Sequence, residues 1–400
     1  MSNLLKAAFL IILLVRISLF FTPGFQIDIV TWQAWAQRLT EGGPANFYSD
    51  DYYSLYFPGY LYILWPMGGI FHLIFPQIPF TSFLFEIFIK SITTFFDLAA
   101  SFYVYKIVLR HRPSFAIPAA LLYFANPAVI FNTSIWGQVD GIMVFLLLYS
   151  SYFLIEKRKL VLSILGLSLS ILIKPQTLAI LPIIFVKNLK MSFAIFLLIL
   201  FSIPFFPTDP LLGLLKLSLR LNDQYPYSSL FAFNLWGLLD WWKLDNKIFL
   251  TFSYRTWGII IYLLSLIAIL TPILIMKFKN SYYFYLGVAL SFMAFYLFPT
   301  RIHERYLLPF LAFILISALI QKTKETKILI GVYLVTSAVH LINLWYVYYY
   351  YNFVYNNPNL SLSKLYLFIN DYYKFFSLIL LVSFAVVLFV YYRIIYVKKT

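Results

Sequence analysis

Long apolar runs that cover most of the chain constrain its fold more than any other feature. Of its 400 residues, 62% are hydrophobic and 11% are charged, whereas a soluble domain has about 45–50% apolar and about 25% charged residues. The chain is therefore predicted to be an integral membrane protein. Polar side chains are too few to alternate along the lumen of a β-barrel, so the runs predict an all-α bundle of transmembrane helices.

The runs also predict the number of spans, because a transmembrane helix needs roughly 20 apolar residues. About twelve runs qualify, and we expect them to form one transmembrane domain over residues 1–400. The candidate spans are 4–21, 82–108, 113–131, 139–155, 159–173, 176–187, 191–207, 251–277, 281–299, 304–320, 327–350 and 372–392.

Positive charge is concentrated in connections between the runs. The chain has 30 Lys and Arg residues against 15 Asp and Glu residues, which in a soluble protein would suggest nucleic acid. Here it is typical of basic cytoplasmic loops, so the expected partner is the membrane and not nucleic acid. With both termini also cytoplasmic, the long connections 22–81 and 208–250 lie outside. The basic connections are 106–112, 157–159, 187–190, 277–279, 322–327 and 393–399.

Residues 56–76 are apolar enough to form a further span. If they formed a full span, however, the alternation of sides along the chain would place Arg110 and Arg112 outside the cytoplasm. Pro58, Pro66 and a Gly pair also weaken a straight helix here. We predict a re-entrant segment or one that lies at the outer interface, with a full span as the alternative.

The connection 22–81 is the first long polar interruption of the chain, and it begins with the pattern of a helix. Asp28 opens this segment, and Trp32 and Trp35 share one face of it. Gly42-Gly43-Pro44 ends it. The carboxylates that follow are Asp50 and Asp51.

Three further polar motifs stand at the ends of apolar runs. Gln and Asp side chains can bind hydroxyl groups, Trp can stack on the face of a ring, and cations can bind a phosphate. A His-Glu-x-x-His zinc motif is excluded because position 307 is leucine. The motifs are Trp136-Gly137-Gln138-Val139-Asp140, Lys174-Pro175-Gln176 and Arg301-Ile302-His303-Glu304-Arg305-Tyr306.

Together these motifs resemble those of the GT-C glycosyltransferases, and the Asp28 loop resembles the first external loop of that family. The closest likeness is to bacterial and archaeal relatives of dolichyl-phosphate-glucose or -mannose transferases. The resemblance implies inverting transfer of a hexose-type sugar from a polyprenyl-phosphate carrier to a hydroxyl of a lipid-linked glycan, lipid or protein. It also implies a GT-C-type bundle with membrane-parallel helices in a long first external loop. The expected location is the plasma membrane of a prokaryote.

The resemblance assigns the general base to Asp28, which would take the proton of the acceptor hydroxyl. The alternative is that Asp28 only caps a helix. Asp51 is expected to bind the acceptor, or else to be a solvated loop acid. No cofactor is certain; if a divalent cation such as Mg or Mn is required, Asp28, Asp51 and Glu304 are its expected ligands.

The resemblance assigns sugar binding to Trp136, Gln138 and Asp140. The alternative is an interfacial tryptophan and a helix-capping acid. Charge that develops on the leaving lipid phosphate would be stabilised by cations, for which the alternatives are a snorkelling lysine and an interfacial ion cluster. The expected phosphate-binding residues are Lys174, Arg301, His303 and Arg305.

Charged residues within two predicted spans are harder to interpret. Glu86 and Lys90 have the spacing of a structural helical pair, and Asp97 shares their face. Arg16 is expected to reach either the lipid phosphate or a partner inside the bundle.

Two other functions remain open from the sequence. Twelve spans also suit a secondary transporter or lipid flippase, and external basic loops also suit a polymerase or ligase of lipid-linked glycans. No glycine-rich nucleotide-binding motif is present.

Overall fold

The structure is a computed structural model that describes residues 3–49, 51–276, 281–321, 324–355, 357 and 359–397. One member of the predicted acid pair and several lysines of the predicted cytoplasmic connections lie outside the described residues. They are Asp50, Lys277, Lys279, Lys322, Lys398 and Lys399.

The described part of the chain is all-α apart from one short hairpin, as the sequence predicted. The helices are α1 Asn3–Leu19, α2 Gln26–Gly42, α3 Pro58–Ile74, α4 Phe83–His111, α5 Ala116–Phe124, α6 Pro127–Ile130, α7 Asp140–Ser151, α8 Leu160–Ile173, α9 Leu181–Lys187, α10 Phe193–Ser202, α11 Pro210–Asp223, α12 Tyr254–Met276, α13 Ser281–Leu297, α14 Leu308–Ile320, α15 Glu325–Tyr349 and α16 Lys364–Val397. The hairpin pairs β1 Ile248–Phe249 with β2 Phe252–Ser253 in antiparallel register.

Contacts group the chain into two compact units, where the sequence predicted one domain. The first unit comprises Met1–Tyr103, Val129–Thr177 and Met191–Gln224, and the second comprises the remainder. Each unit is described by itself.

In the first unit, α3 packs on α2 and on α8, and α7 packs on α8. The predicted re-entrant segment 56–76 is one continuous helix over Pro58–Ile74. Pro58 begins that helix, where a missing N–H leaves no bond unmade, and Pro66 lies inside it without ending it. Gly59 allows α3 to approach α8, because a Cβ there would stand 2.4 Å from the carbonyl carbon of Leu172.

The predicted loop 208–250 is partly regular structure. Its first part forms α11, which Asp209 caps by accepting from the backbone N–H of Leu212 at 2.9 Å. Leu214 and Leu217 form the buried face of this helix. The second part of the segment, from Tyr225 onward, belongs to the second unit and contains β1, the first strand of the hairpin.

The second unit is built around two helices that are buried on all sides. Every residue of α14 is buried, and nearly every residue of α13 is. Neighbouring helices α12, α15 and α16 pack around α13 and α14. A helix that is apolar all round suits either the centre of a bundle or a membrane span, and α13 and α14 are at the centre of this unit.

Three described helical segments are long and apolar enough to cross a membrane: Tyr254–Ile275, Glu325–Val354 and Lys364–Arg393. A fourth is added if the bent pair Pro113–Phe124 and Pro127–Ile135 is one span. Membrane association is thus supported by fewer segments than the predicted twelve. Several predicted spans fold as shorter apolar helices, such as the 14-residue α8 and the 10-residue α10.

Two glycines of α3 provide a stability test of the close approach to α8. Gly59→Ala should destabilise the protein by about 1–3 kcal/mol, because the new methyl group overlaps the α8 backbone. Gly69→Ala is the matched control: nothing lies within 4 Å of its Cβ position, so it should stabilise the helix by about 0.5–1 kcal/mol. Unfolding of both variants in detergent measures the difference. Equal stability of the two would contradict the packing described.

Candidate functional site

Asp28 is the third residue of α2 and is partly exposed. It does not cap the helix: Phe25 is the capping residue, and the backbone N–H of Asp28 already bonds the Phe25 carbonyl at 3.0 Å. Its side chain instead bonds residues outside α2. Oδ2 accepts hydrogen bonds from Trp136 Nε1 at 2.8 Å and from Gln138 Nε2 at 2.6 Å. The capping alternative is therefore wrong.

The turn 136–138 reaches Asp28 because of its backbone. Gly137 has φ of +85°, a left-handed conformation that glycine adopts at little cost. A Cβ there would stand 2.7 Å from Ile29 Cδ1. The backbone N–H of Phe25 donates to the Trp136 carbonyl at 3.1 Å, and the two rings stack at 4.2 Å. The turn is thus packed directly on the start of α2.

Gln138 connects Asp28 to a buried lysine. Its Oε1 accepts from Lys174 Nζ at 3.2 Å and from the backbone N–H of Val139 at 2.8 Å. These two donors fix which amide atom is oxygen, and leave Nε2 to donate to Asp28. Gln138 therefore holds the carboxylate and the ammonium group in one hydrogen-bonded chain.

Lys174 forms a buried ion pair with Asp140, with Nζ 2.7 Å from Oδ1. Gln176 and Asn132 also donate to this carboxylate, each at 3.3 Å. Asp140 is the first residue of α7 after its cap, Val139, so the capping alternative for Asp140 is wrong as well. The charge of Lys174 is already used to neutralise Asp140 inside the protein.

The three residues expected to bind sugar are buried. Trp136, Gln138 and Asp140 each have 0% exposure. Trp136 packs its face on Phe25 and not on a surface open to a pyranose ring. The structure therefore does not show these residues in a position to contact a sugar directly. It shows that they fix the positions of Asp28 and Lys174.

Aromatic rings surround the same network. Trp32 and Trp35 are buried on one face of α2, as predicted. Trp32 meets the rings of Tyr56 and Tyr60 edge-on at 5.0 and 5.1 Å. Lys174 Nζ lies 5.9 Å from the centre of the Tyr56 ring. Tyr56 thus links the aromatic rings that pack on α2 to Lys174.

Two other predicted residues of the first unit have clear positions. Asp51 is solvent-exposed and lies outside the hydrogen-bonded network of Asp28. Arg16 is fully buried and pairs with Asp97 at 2.8 Å, so it has a partner inside the bundle. Among the residues the structure describes, no group of three or more His, Cys, Asp or Glu side chains is placed to hold a metal ion, and the conditional set Asp28, Asp51 and Glu304 is not such a group.

In the second unit, Arg301 forms a two-point ion pair with Asp245. Its Nε lies 2.6 Å from Oδ2 and its Nη2 lies 3.2 Å from Oδ1. Arg301 has φ of +66°, and Thr300 donates to the same carboxylate at 2.9 Å. Through these bonds, Asp245 holds the backbone turn at Thr300 and Arg301. The sequence did not identify Asp245, since no motif or spacing links it to position 301.

The remaining charges of this motif form a second cluster. Arg305 Nη1 donates to Glu304 Oε1 at 2.8 Å, and His303 Nδ1 lies 3.7 Å from Glu304 Oε2. Glu304 is buried in the turn before α14, whereas His303 and Arg305 are partly exposed. The rings of Tyr225 and Tyr306 contact His303 at 5.5 and 5.4 Å. An ion cluster is thus present, and the side chains of His303 and Arg305 retain exposed surface.

The charge of Glu304 follows from these neighbours. Burial alone would raise the pKa of its carboxyl group, but the Arg305 guanidinium and then His303 outweigh that effect and lower the pKa to about 2. Glu304 is therefore ionised at neutral pH.

Comparisons with known proteins leave the family open. No family model matches the chain, and no curated protein matches it significantly. The resemblance to GT-C glycosyltransferases therefore stays a prediction that depends on the motifs.

The Lys174–Asp140 pair gives a stability prediction. Lys174→Met should destabilise the protein by about 3–5 kcal/mol, because it leaves a buried carboxylate without its cation. Adding Asp140→Asn should restore most of the loss. As a control, Lys243→Met removes the exposed pair with Asp240 and should cost at most about 1 kcal/mol. Unfolding in detergent measures all three. A Lys174→Met variant as stable as the wild type would contradict a buried pair.

Glu304 gives a pH prediction. Its folded pKa of about 2 lies below the ordinary value of 4.5, so its ionised form stabilises the fold above pH 4.5 and this contribution disappears as pH falls through 2. The destabilisation caused by Glu304→Gln should therefore be largest above pH 4.5, on the order of 3 kcal/mol, and should shrink toward pH 2. Unfolding at several pH values tests this. A pH-independent difference would show that the carboxyl group is not held ionised.

Proposed function

We propose that this protein is an inverting, polyprenyl-phosphate-sugar-dependent glycosyltransferase of the GT-C type, with Asp28 as general base. The observation that carries the proposal is the hydrogen-bonded Asp28. A motif 108 positions later in the sequence supplies both of its donors, and the same two motifs carry the resemblance to the family.

The partners of Asp28 suit a base. Both donors are neutral groups, an indole N–H and an amide N–H, so no cation neutralises the carboxylate through these bonds. Both bonds fall on Oδ2. Within the described residues, Oδ1 is left to accept the hydrogen bond of an incoming hydroxyl. Partial exposure of Asp28 gives that hydroxyl access.

The proposed reaction is a single displacement. Asp28 takes the proton of the acceptor hydroxyl as its oxygen attacks the anomeric carbon of the sugar. The bond from that carbon to the phosphate oxygen breaks, and its electron pair leaves with the polyprenyl phosphate. Attack opposite to the leaving group inverts the anomeric configuration. Trp136 and Gln138 hold the carboxylate in one orientation throughout.

The role of the predicted phosphate-binding cations is a separable part of the proposal. Lys174 and Arg301 already neutralise Asp140 and Asp245. His303 and Arg305 are partly exposed, and donors of this kind stabilise charge on phosphate oxygens. We assign phosphate binding chiefly to these two residues. About twelve spans, cytoplasmic termini and catalysis at the external face belong to the same proposal.

A secondary transporter or lipid flippase is the second candidate. Paired charges within the helices α1 and α4, such as Arg16–Asp97 with 0% exposure of both side chains, favour it, because charges inside a membrane helix often belong to a transport path. A transporter, however, would not break the sugar–phosphate bond.

The assay is transfer of sugar from a polyprenyl-phosphate sugar to an acceptor by the purified full-length protein. Asp28→Asn should lower kcat by about 10²- to 10⁴-fold, because the proton acceptor is lost. Glu41→Gln is the matched control: Glu41 is an exposed acid near the other end of the same helix and its variant should keep wild-type activity. Full activity of Asp28→Asn would refute the assigned base. No release of sugar by the wild type would favour the transporter.

A further inference from the structure

The turn that joins α1 to α2, residues 20–25, leads directly into the helix that carries Asp28. Several of its backbone groups bond the adjoining helix ends, and its other buried backbone groups need partners from elsewhere. Two side chains of α4 supply some of these partners. Lys90 Nζ donates to the carbonyls of Phe20, at 3.3 Å, and of Thr22. Glu86 Oε1 accepts from the backbone N–H of Gly24 at 2.6 Å.

Glu86 and Lys90 are also paired with each other, with Lys90 Nζ 2.7 Å from Glu86 Oε1. Lys90 has 0% exposure and Glu86 has 5%. A simple i,i+4 pair would need only the two charged groups. Here the Lys90 ammonium also bonds two backbone carbonyls of the turn, and the Glu86 carboxylate also bonds a backbone N–H of the turn.

The turn is also held on its other side. The backbone N–H of Phe25 donates to the Trp136 carbonyl, and the Phe25 ring stacks on Trp136. Gly24 fits tightly between these contacts: a Cβ there would stand 2.7 Å from Ile29 Cγ1 and 3.0 Å from Glu86 Oε1. Any shift of the turn would therefore move the start of α2 against Trp136.

We propose that Glu86 and Lys90 are positioning residues that hold the turn 20–25 and thereby place the Asp28 carboxylate against Trp136 and Gln138. Asp28 follows the turn by three residues and is in the first turn of α2, so it moves with the helix start. The positional effect stands by itself. Its consequence for transfer rests on the proposed function.

An exchange of the two charges separates this role from that of a plain ion pair. The double variant Glu86→Lys/Lys90→Glu keeps opposite charges at the two positions. An ammonium group at 86 has no acceptor in the Gly24 N–H, and a carboxylate at 90 is repelled by the two carbonyls. The apolar double variant Glu86→Leu/Lys90→Met removes the turn contacts without leaving a buried charge unpaired, so it serves if the exchanged pair does not fold.

The readout is the Trp136 indole in protein labelled with 5-fluorotryptophan, whose ¹⁹F resonance is assigned with Trp136→Phe. Asp28→Ala gives the reference shift for a Trp136 that has lost its acceptor. We expect both double variants to move the resonance most of the way to that reference. Ser150→Ala is the control, since it removes a buried hydrogen bond between α7 and α8 and should leave the resonance in place.

Transfer activity gives the second readout. If Asp28 is displaced, kcat should fall by about 100-fold, because misplacement of about 1 Å has that effect, with KM for the donor unchanged. A Trp136 resonance that stays at the wild-type position in folded double variants would overturn the positioning role. If the double variants shift the resonance but the wild-type protein itself shows no transferase activity, the proposed function is refuted and the positioning role is left intact.

Discussion

A buried charge needs a partner, and in a chain this apolar that requirement determines much of the structure. Arg16 pairs with Asp97, Lys90 with Glu86, Lys174 with Asp140, and Arg301 with Asp245. Three of these pairs connect residues of different segments, and the pair within α4 also bonds the turn that precedes α2.

Asp28 differs from these pairs in a way that matters for function. It accepts hydrogen bonds from an indole and an amide, and it is partly exposed, while Asp140 nearby is buried and neutralised by Lys174. Two carboxylates in one network thus have different surroundings. In the proposed mechanism the ion-paired carboxylate is structural, and the carboxylate with neutral donors is the proton acceptor.

Much of this arrangement was predictable from the sequence. Composition predicted the all-α class, and the motifs at Asp28, 136–140 and 174–176 identified residues that the fold brings into one hydrogen-bonded network. The binding partner of each residue was not predictable, because the sequence Lys174-Pro175 is equally compatible with a lysine that binds a phosphate and with one that binds Asp140. Asp245 had no local signal in the sequence at all.

The start of helix α11 did have a sequence signal, since Asp209-Pro210 is a typical helix start. Helix α3 is continuous through Pro66, which shows that packing on α8 outweighs the cost of this proline.

The most direct test of Asp28 as base is an experimental structure of the protein with a polyprenyl-phosphate-sugar analogue and an acceptor bound. We expect the acceptor hydroxyl to lie about 2.6–3.2 Å from Asp28 Oδ1, with Trp136 and Gln138 still bonded to Oδ2. An acceptor hydroxyl bound away from Asp28, next to another carboxylate, would contradict the assignment.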